Sequence, residues 1–129
     1  MRLLVDAHCL IWALDEPAKL SAAAVVALED ATNDLLIGAG TMWELSIKSG
    51  LGKLTLSLPF RGWMEQAIAD LGLTVLPITL ESCERQASLP FHHRDPFDRL
   101  LAAQALVEHI EVVSADAILD QYGVGRIWA

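Results

Sequence analysis

The sequence predicts an α/β protein built on a parallel sheet with helices on both of its faces. Three observations carry this reading. Short apolar segments rich in Leu, Val and Ile alternate along the whole chain with longer segments of helical period. The apolar segments are nearly continuous, as strands buried on both faces are. Helical segments stand between successive strands, which is the crossover that a parallel sheet requires.

Taken in order, RLLVD (residues 2–6) reads as the first strand, and AHCLIWAL (7–14) follows at once as a helix. DEPAKLS is a connection ending in Ser21, a good N-cap for the helix AAAVVALEDA (22–31). DLLIGA (34–39) is the second strand, and TMWELSIKSGLGKL (41–54) a helix that stops at its glycines. PFRGWMEQAIADLG (59–72) is amphipathic, with Gly72 as its stop. LTVLPIT (73–79) is the third strand, and Pro77 near its end suits a sheet edge. LESCERQASL (80–89) is a helix halted by Pro90. DPFDRLLAAQALVEH (95–109) carries the strongest helical signal in the chain. IEVVSA (110–115) is the fourth strand, DAILDQYG (116–123) a short helix and GRIWA (125–129) a last strand. With no repeat, low-complexity segment or linker, residues 1–129 form one domain.

The chain is 53% apolar, with net charge −8. Such acidity argues against binding nucleic acid through a broad basic surface. The acids are solvated, paired with a basic partner or gathered around cations, and charge alone does not choose among these. No apolar run reaches the length of a membrane span. Asp6 breaks the apolar N-terminal stretch and no small-residue cleavage site follows, so a signal peptide is not expected. The surplus apolar content is read as surface that a partner or a second copy covers. Cys9 and Cys83 have no metal-type spacing; both are expected to be buried thiols in a reduced, cytoplasmic setting.

Carboxylates recur where strands give way to helices. Asp6 ends the first strand and Asp116 follows the fourth; Glu44 and Asp98 open helices. A parallel sheet brings these positions to one edge, outside the carboxyl ends of its strands, where ligands collect in such folds. Each also has a local explanation. Asp6 and Asp116 suit N-caps, Thr41 and Glu44 suit a capping box, and Asp95 before Pro96 suits an N-cap with Asp98 one turn on. Four acids on one rim would nevertheless repel each other unless a cation lay among them. Oxygen donors without a Cys or His cluster favour Mg²⁺ or Mn²⁺ over Zn²⁺. Arg94 and Arg99 lie beside Asp98 and suit a phosphate or a neighbouring carboxylate. Lys48, Lys53 and Arg61 are further candidate phosphate contacts, each set against a plain solvated charge. His92 and His93 are candidate ligands or proton shuttles, set against an exposed or structural loop pair. His8 suits either support of Asp6 or core packing.

At these residues the sequence resembles a family. LLVDAHCLIWAL, TMWELSIKSGLGKL, HHRDPFDRLLAAQAL and VVSADAILDQYGV stand in the order and spacing of PIN-domain proteins, most like the VapC-type toxins of bacterial type II toxin–antitoxin systems. The likeness spans essentially the whole chain, and DPFDRLLAAQA is its most specific piece. It implies a three-layer α/β/α sandwich with a central parallel sheet. It implies an endoribonuclease that depends on Mg²⁺ or Mn²⁺, with the family acids at Asp6, Glu44, Asp98 and Asp116. Ser114 matches a family Ser or Thr that supports the last acid. The likeness also implies an RNA substrate, a homodimer and a cognate antitoxin. Divalent ions held by the carboxylates would activate water for attack on phosphorus, with no side-chain nucleophile.

Two other readings compete. A phosphate-accepting receiver domain wants adjacent acids after its first strand and a Lys after a later one, but Ala7 and His8 follow Asp6, and Ser114-Ala115-Asp116 holds no Lys. A catalytically inactive interaction module on the same fold has no need of four mutually repelling acids.

Overall fold

The computed structural model describes residues 1–128. Its first strand, β1 (Arg2–Val5), buries Leu3, Leu4 and Val5 completely. Alternate side chains enter different cores, because successive strand residues point to opposite faces. Leu3 and Val5 join one apolar cluster with Leu35, Ile37 and Val113, while Leu4 joins another with Leu36 and Val112. The apolar runs therefore reflect a sheet covered on both sides.

The chain continues through α1 (Ala7–Asp15), α2 (Ala22–Glu29), β2 (Asp34–Gly38), α3 (Ala39–Gly50), α4 (Phe60–Leu71), β3 (Thr74–Leu76), α5 (Leu80–Ser88), α6 (Pro96–Glu108), β4 (Glu111–Val113) and β5 (Arg126–Ile127). Short 3₁₀ turns occupy Pro17–Lys19 and Ala117–Tyr122, the second where the sequence suggests a short helix. The last strand is two residues long, and Ala129 at its suggested end lies outside the described residues. All strand pairs are parallel, in the order β3-β2-β1-β4-β5. Pro77 follows β3, which is an edge strand. One core layer joins α1, α2, α4 and Leu45 of α3; α6, Leu89, Leu119 and Tyr122 build the other. The architecture is an α/β/α sandwich.

Local chemistry sets the helix ends. Ser21 Oγ accepts the Ala24 N–H at 3.1 Å, and Thr79 and Ser82 cap α5 reciprocally. Gly72 ends α4 at φ 64°, a left-handed conformation that glycine adopts without steric cost. α3 departs from expectation. It starts at Ala39, so Thr41 lies inside the first turn and forms no capping box with Glu44; the cap position is Gly38. Close packing on α6 explains the earlier start. A Cβ on Gly38 would lie 2.7 Å from Gln104 Oε1, and one on Gly40 would lie 2.5 Å from Leu100 Cδ2. Two residues without side chains let the α3 backbone meet α6 before Thr41 is reached.

The cysteines also divide. Cys9 is buried, and burial together with nearby Asp6 pushes its thiol well above the ordinary range. Cys83 is exposed, contrary to expectation, because α5 turns its neighbour Ser82 inward to complete the cap. No helix among the described residues is long and apolar enough to cross a membrane.

Candidate metal centre

Strand order fixes where the acids meet. From β1 the chain builds outward through β2 and β3, then returns to place β4 on the other side of β1. The order reverses between β1 and β4, whose carboxyl ends are in register at Val5 and Val113. Asp6 leaves β1 with its N–H donating to Val113 O at 3.2 Å. Three residues after Val113 stands Asp116. The N-terminus of α6 delivers Asp98 to the same rim.

Asp6 is buried, and its Oδ1 accepts the Cys9 N–H at 2.8 Å, capping α1. Asp116 Oδ1 accepts the Ile118 N–H at 3.0 Å, while Oδ2 lies 2.9 Å from His93 Nε2. Ser114 is fully buried, and its Oγ accepts the Asp116 N–H at 3.0 Å, which fixes the turn that presents the acid. Asp95 caps α6, taking the Phe97 N–H at 2.8 Å with Pro96 in the first helical position. One turn on, Asp98 Oδ2 lies 3.2 Å from the same His93 Nε2. Glu44 is 5% exposed and meets Lys48 Nζ at 2.6 Å, one helical turn along α3. That pairing holds the Lys48 ammonium above its usual value.

Charge crowding acts most strongly on Asp98. Its carboxyl is raised from 3.8 to about 7, first by burial and then by the charge of Asp95, with Glu44 and Asp116 adding to the rise and His93 opposing it. Asp98, Asp116 and His93 each offer one donor atom, all within 4.8 Å of one another. Hard carboxylate oxygens crowded in this way fit a divalent cation of the Mg²⁺ or Mn²⁺ type. Asp6 and Glu44 stand on the rim but outside this tight group.

Several sequence candidates take other roles. Arg99 is 5% exposed and turns away from the carboxylates. It donates to the carbonyls of Gln86, Leu89 and Pro90 at 3.0, 3.3 and 2.9 Å, and its guanidinium stacks 4.0 Å from the Phe91 ring centre. It ties the loop before α6 to α5, so its guanidinium is engaged away from the carboxylates. The cause is helical phase, since adjacent helical residues point about 100° apart. Arg61 pairs with Glu65 at 2.8 Å; Arg94 and Lys53 are exposed. His8 is exposed against Trp12, so it neither packs in the core nor supports Asp6. His92 packs its ring on Tyr122. Of the two candidate loop histidines, His93 is the one that turns into the rim. The only available signal was its place five residues before Asp98, and a histidine pair in a loop does not reveal which ring turns inward.

Comparison with known proteins agrees with this architecture. A PIN-domain family profile matches residues 3–125. Ribonuclease VapC22 of Mycobacterium tuberculosis (strain ATCC 25618 / H37Rv) is 32% identical over 114 residues, covering 88% of this chain and 85% of that protein. Among solved structures, VapBC2 from Rickettsia felis, bound to a DNA fragment from its promoter, matches with a TM-score of 0.74 at 12% identity, covering 98% of this chain and 97% of its own. VapBC-1 from nontypeable Haemophilus influenzae matches with a TM-score of 0.67 at 17% identity, over 98% and 96%. The matched region runs from within β1 through β4 and contains all four rim acids, and the chain belongs to the PIN-domain family.

Proposed function

We propose that this protein is a divalent-metal-dependent endoribonuclease acting as the toxin of a type II toxin–antitoxin pair. The observation that carries the reading is the meeting of Asp98 Oδ2 and Asp116 Oδ2 at the carboxyl edge of the two central strands. A relative named as a ribonuclease supports the reaction class.

In this reading Asp98 and Asp116 would hold a Mg²⁺ or Mn²⁺ ion, with Asp6 and Glu44 as the further acids of the site. A bound divalent ion lowers the pKa of water and stabilises charge on the phosphodiester. The protein's own share is orientation. Ser114 fixes the turn of Asp116, and Asp95 starts α6 where Asp98 faces the rim. Lys48 pairs with the buried Glu44 one helical turn away and offsets its negative charge.

The substrate is RNA, and an acidic chain has to grip it by more than charge. Trp43 precedes Glu44 and Phe97 precedes Asp98, and their rings meet edge to face at 5.6 Å. Trp43 is 60% exposed, a surface on which an unpaired base can stack beside the acids. Exposed Val26, Leu51 and Leu80 are suited to cover by an antitoxin or a second copy in a homodimer. Solved relatives named as VapBC complexes support the antitoxin partner. The setting is cytoplasmic.

The test is incubation of the partner-free protein with total cellular RNA in Mg²⁺, Mn²⁺ or EDTA, beside Asp6→Asn and Asp98→Asn. Discrete cuts that require metal and disappear in both variants are expected. Undiminished cutting by Asp98→Asn would overturn the site assignment.

A further inference from the structure

This inference rests on the reading of the rim as a cation site and concerns the histidine inside it. The Asp95 backbone N–H donates to His93 Nδ1 at 3.1 Å. Nδ1 therefore presents a lone pair, and the ring proton is carried by Nε2. Nε2 is the atom that faces Asp116 Oδ2 at 2.9 Å and Asp98 Oδ2 at 3.2 Å. A cation ligand needs its lone pair at that atom. To supply one, the ring must move its proton to Nδ1, and the Asp95 N–H would then face another N–H. The loop is also held: the His93 N–H donates to the Tyr122 hydroxyl at 2.9 Å, and the Tyr122 ring packs against His92.

We propose that His93 is a hydrogen-bond donor in this site and not a metal ligand. In the cation-free protein its Nε2–H braces Asp98 Oδ2 against Asp116 Oδ2. With a cation held by those two oxygens, the Nε2–H would be free to donate to a non-bridging oxygen of the bound phosphodiester. The half-buried ring makes that donor more effective than it would be in water, since less solvent competes for the oxygen. No proton is transferred in this role, and no change in the charge of His93 is needed.

Two readouts test the assignment at pH 8, in wild type, His93→Leu and His93→Gln. The first is Mn²⁺ affinity, followed by loss of the free-ion paramagnetic resonance signal. The second is kcat and KM for RNA cleavage. Leu fills the ring's space without a donor, and Gln restores an N–H near the position of Nε2. Both variants are expected to bind Mn²⁺ within about threefold of wild type or more tightly, because neither has lost a cation ligand and the Nε2–H does not hold the two carboxylate oxygens once a cation does. The Leu variant should lose about 10- to 100-fold in kcat, the usual scale for a donor to a charged oxygen, and Gln should recover most of it. Tenfold weaker Mn²⁺ binding in the two variants would make His93 a ligand and overturn the proposal. Unchanged kcat in a folded Leu variant would overturn the phosphate-donor role. If the Leu variant does not fold, Gln decides alone by the same Mn²⁺ criterion. A wild type that binds Mn²⁺ without cutting RNA fails the nuclease reading while leaving the donor assignment to the Mn²⁺ comparison. A wild type that binds no Mn²⁺ overturns both.

Discussion

Replacing Asp98 by Asn should stabilise the cation-free protein while abolishing its activity. The folded carboxyl is raised from 3.8 to about 7, first by burial and then by Asp95, with Glu44 and Asp116 contributing. At about 1.36 kcal/mol per pH unit, that interval corresponds to at most about 4 kcal/mol. The side chain is 31% exposed and its neighbours relax with it, so a gain of about 1–2 kcal/mol is the appropriate expectation. A carboxyl raised in the folded state favours folding at low pH and loses that contribution as pH climbs from about 4 through 7. Asn carries no charge at any pH, and its carbonyl oxygen still accepts the His93 Nε2–H. In EDTA at pH 8 the variant should therefore melt roughly 3–10 °C higher than wild type. At pH 4.5, where wild-type Asp98 is protonated when folded, most of that gain should vanish. Adding Mn²⁺ should raise the wild-type melting temperature and move the variant much less. A variant less stable than wild type at pH 8 in EDTA, or a gain of equal size at pH 4.5, would refute the picture of a charge-crowded rim.

Three further outcomes follow from the geometry. Arg99→Met should cost about 2–4 kcal/mol in urea unfolding, because three carbonyls lose a buried charged donor; a loss below 0.5 kcal/mol would mean that the loop before α6 does not depend on it. Gly38→Ala should cost about 1–3 kcal/mol, since its Cβ would displace Gln104, which donates to Leu76 O and Pro77 O; a gain in stability would show that α3 and α6 part easily. Trp43→Ala should raise KM for RNA about 5- to 100-fold with little change in Mn²⁺ affinity, the scale of one lost base stack, and an unchanged KM would remove Trp43 from the substrate path.

Much of the fold was legible because parallel strands covered on both faces must be apolar throughout, as Leu3, Leu4 and Val5 are. The start of α3 was not legible. Thr41 and Glu44 have the spacing of a capping box, and only the contact of Gly38 and Gly40 with α6 shifts the helix start two residues earlier. That information lies in a helix about 60 residues away. The orientations of Arg99 and His93 were hidden for a related reason. Proximity in sequence to Asp98 says that each is near the rim, but the phase of α6 turns Arg99 inward, and a hydrogen bond to Tyr122 holds the loop carrying His93.

The rim acids themselves show why local and functional readings of a carboxylate need not compete. Asp116 does both things at once: Oδ1 caps the following turn through Ile118, and Oδ2 faces His93 and Asp98. Capping consumes one oxygen and fixes the orientation of the other. Asp6 is built on the same plan, with Oδ1 committed to Cys9 at the start of α1. An N-cap at the carboxyl end of a central strand is thus a device for aiming a second oxygen, held by a backbone hydrogen bond instead of by side-chain packing. Replacing Asp116 by Asn or by Ser separates the two functions, since both residues can still cap. If the argument holds, each variant keeps most of the wild-type stability in EDTA and loses the stabilisation by Mn²⁺. If Asn or Ser at this position costs more than about 2 kcal/mol before any cation is added, the carboxylate is there for the fold, and its place on the rim needs another explanation.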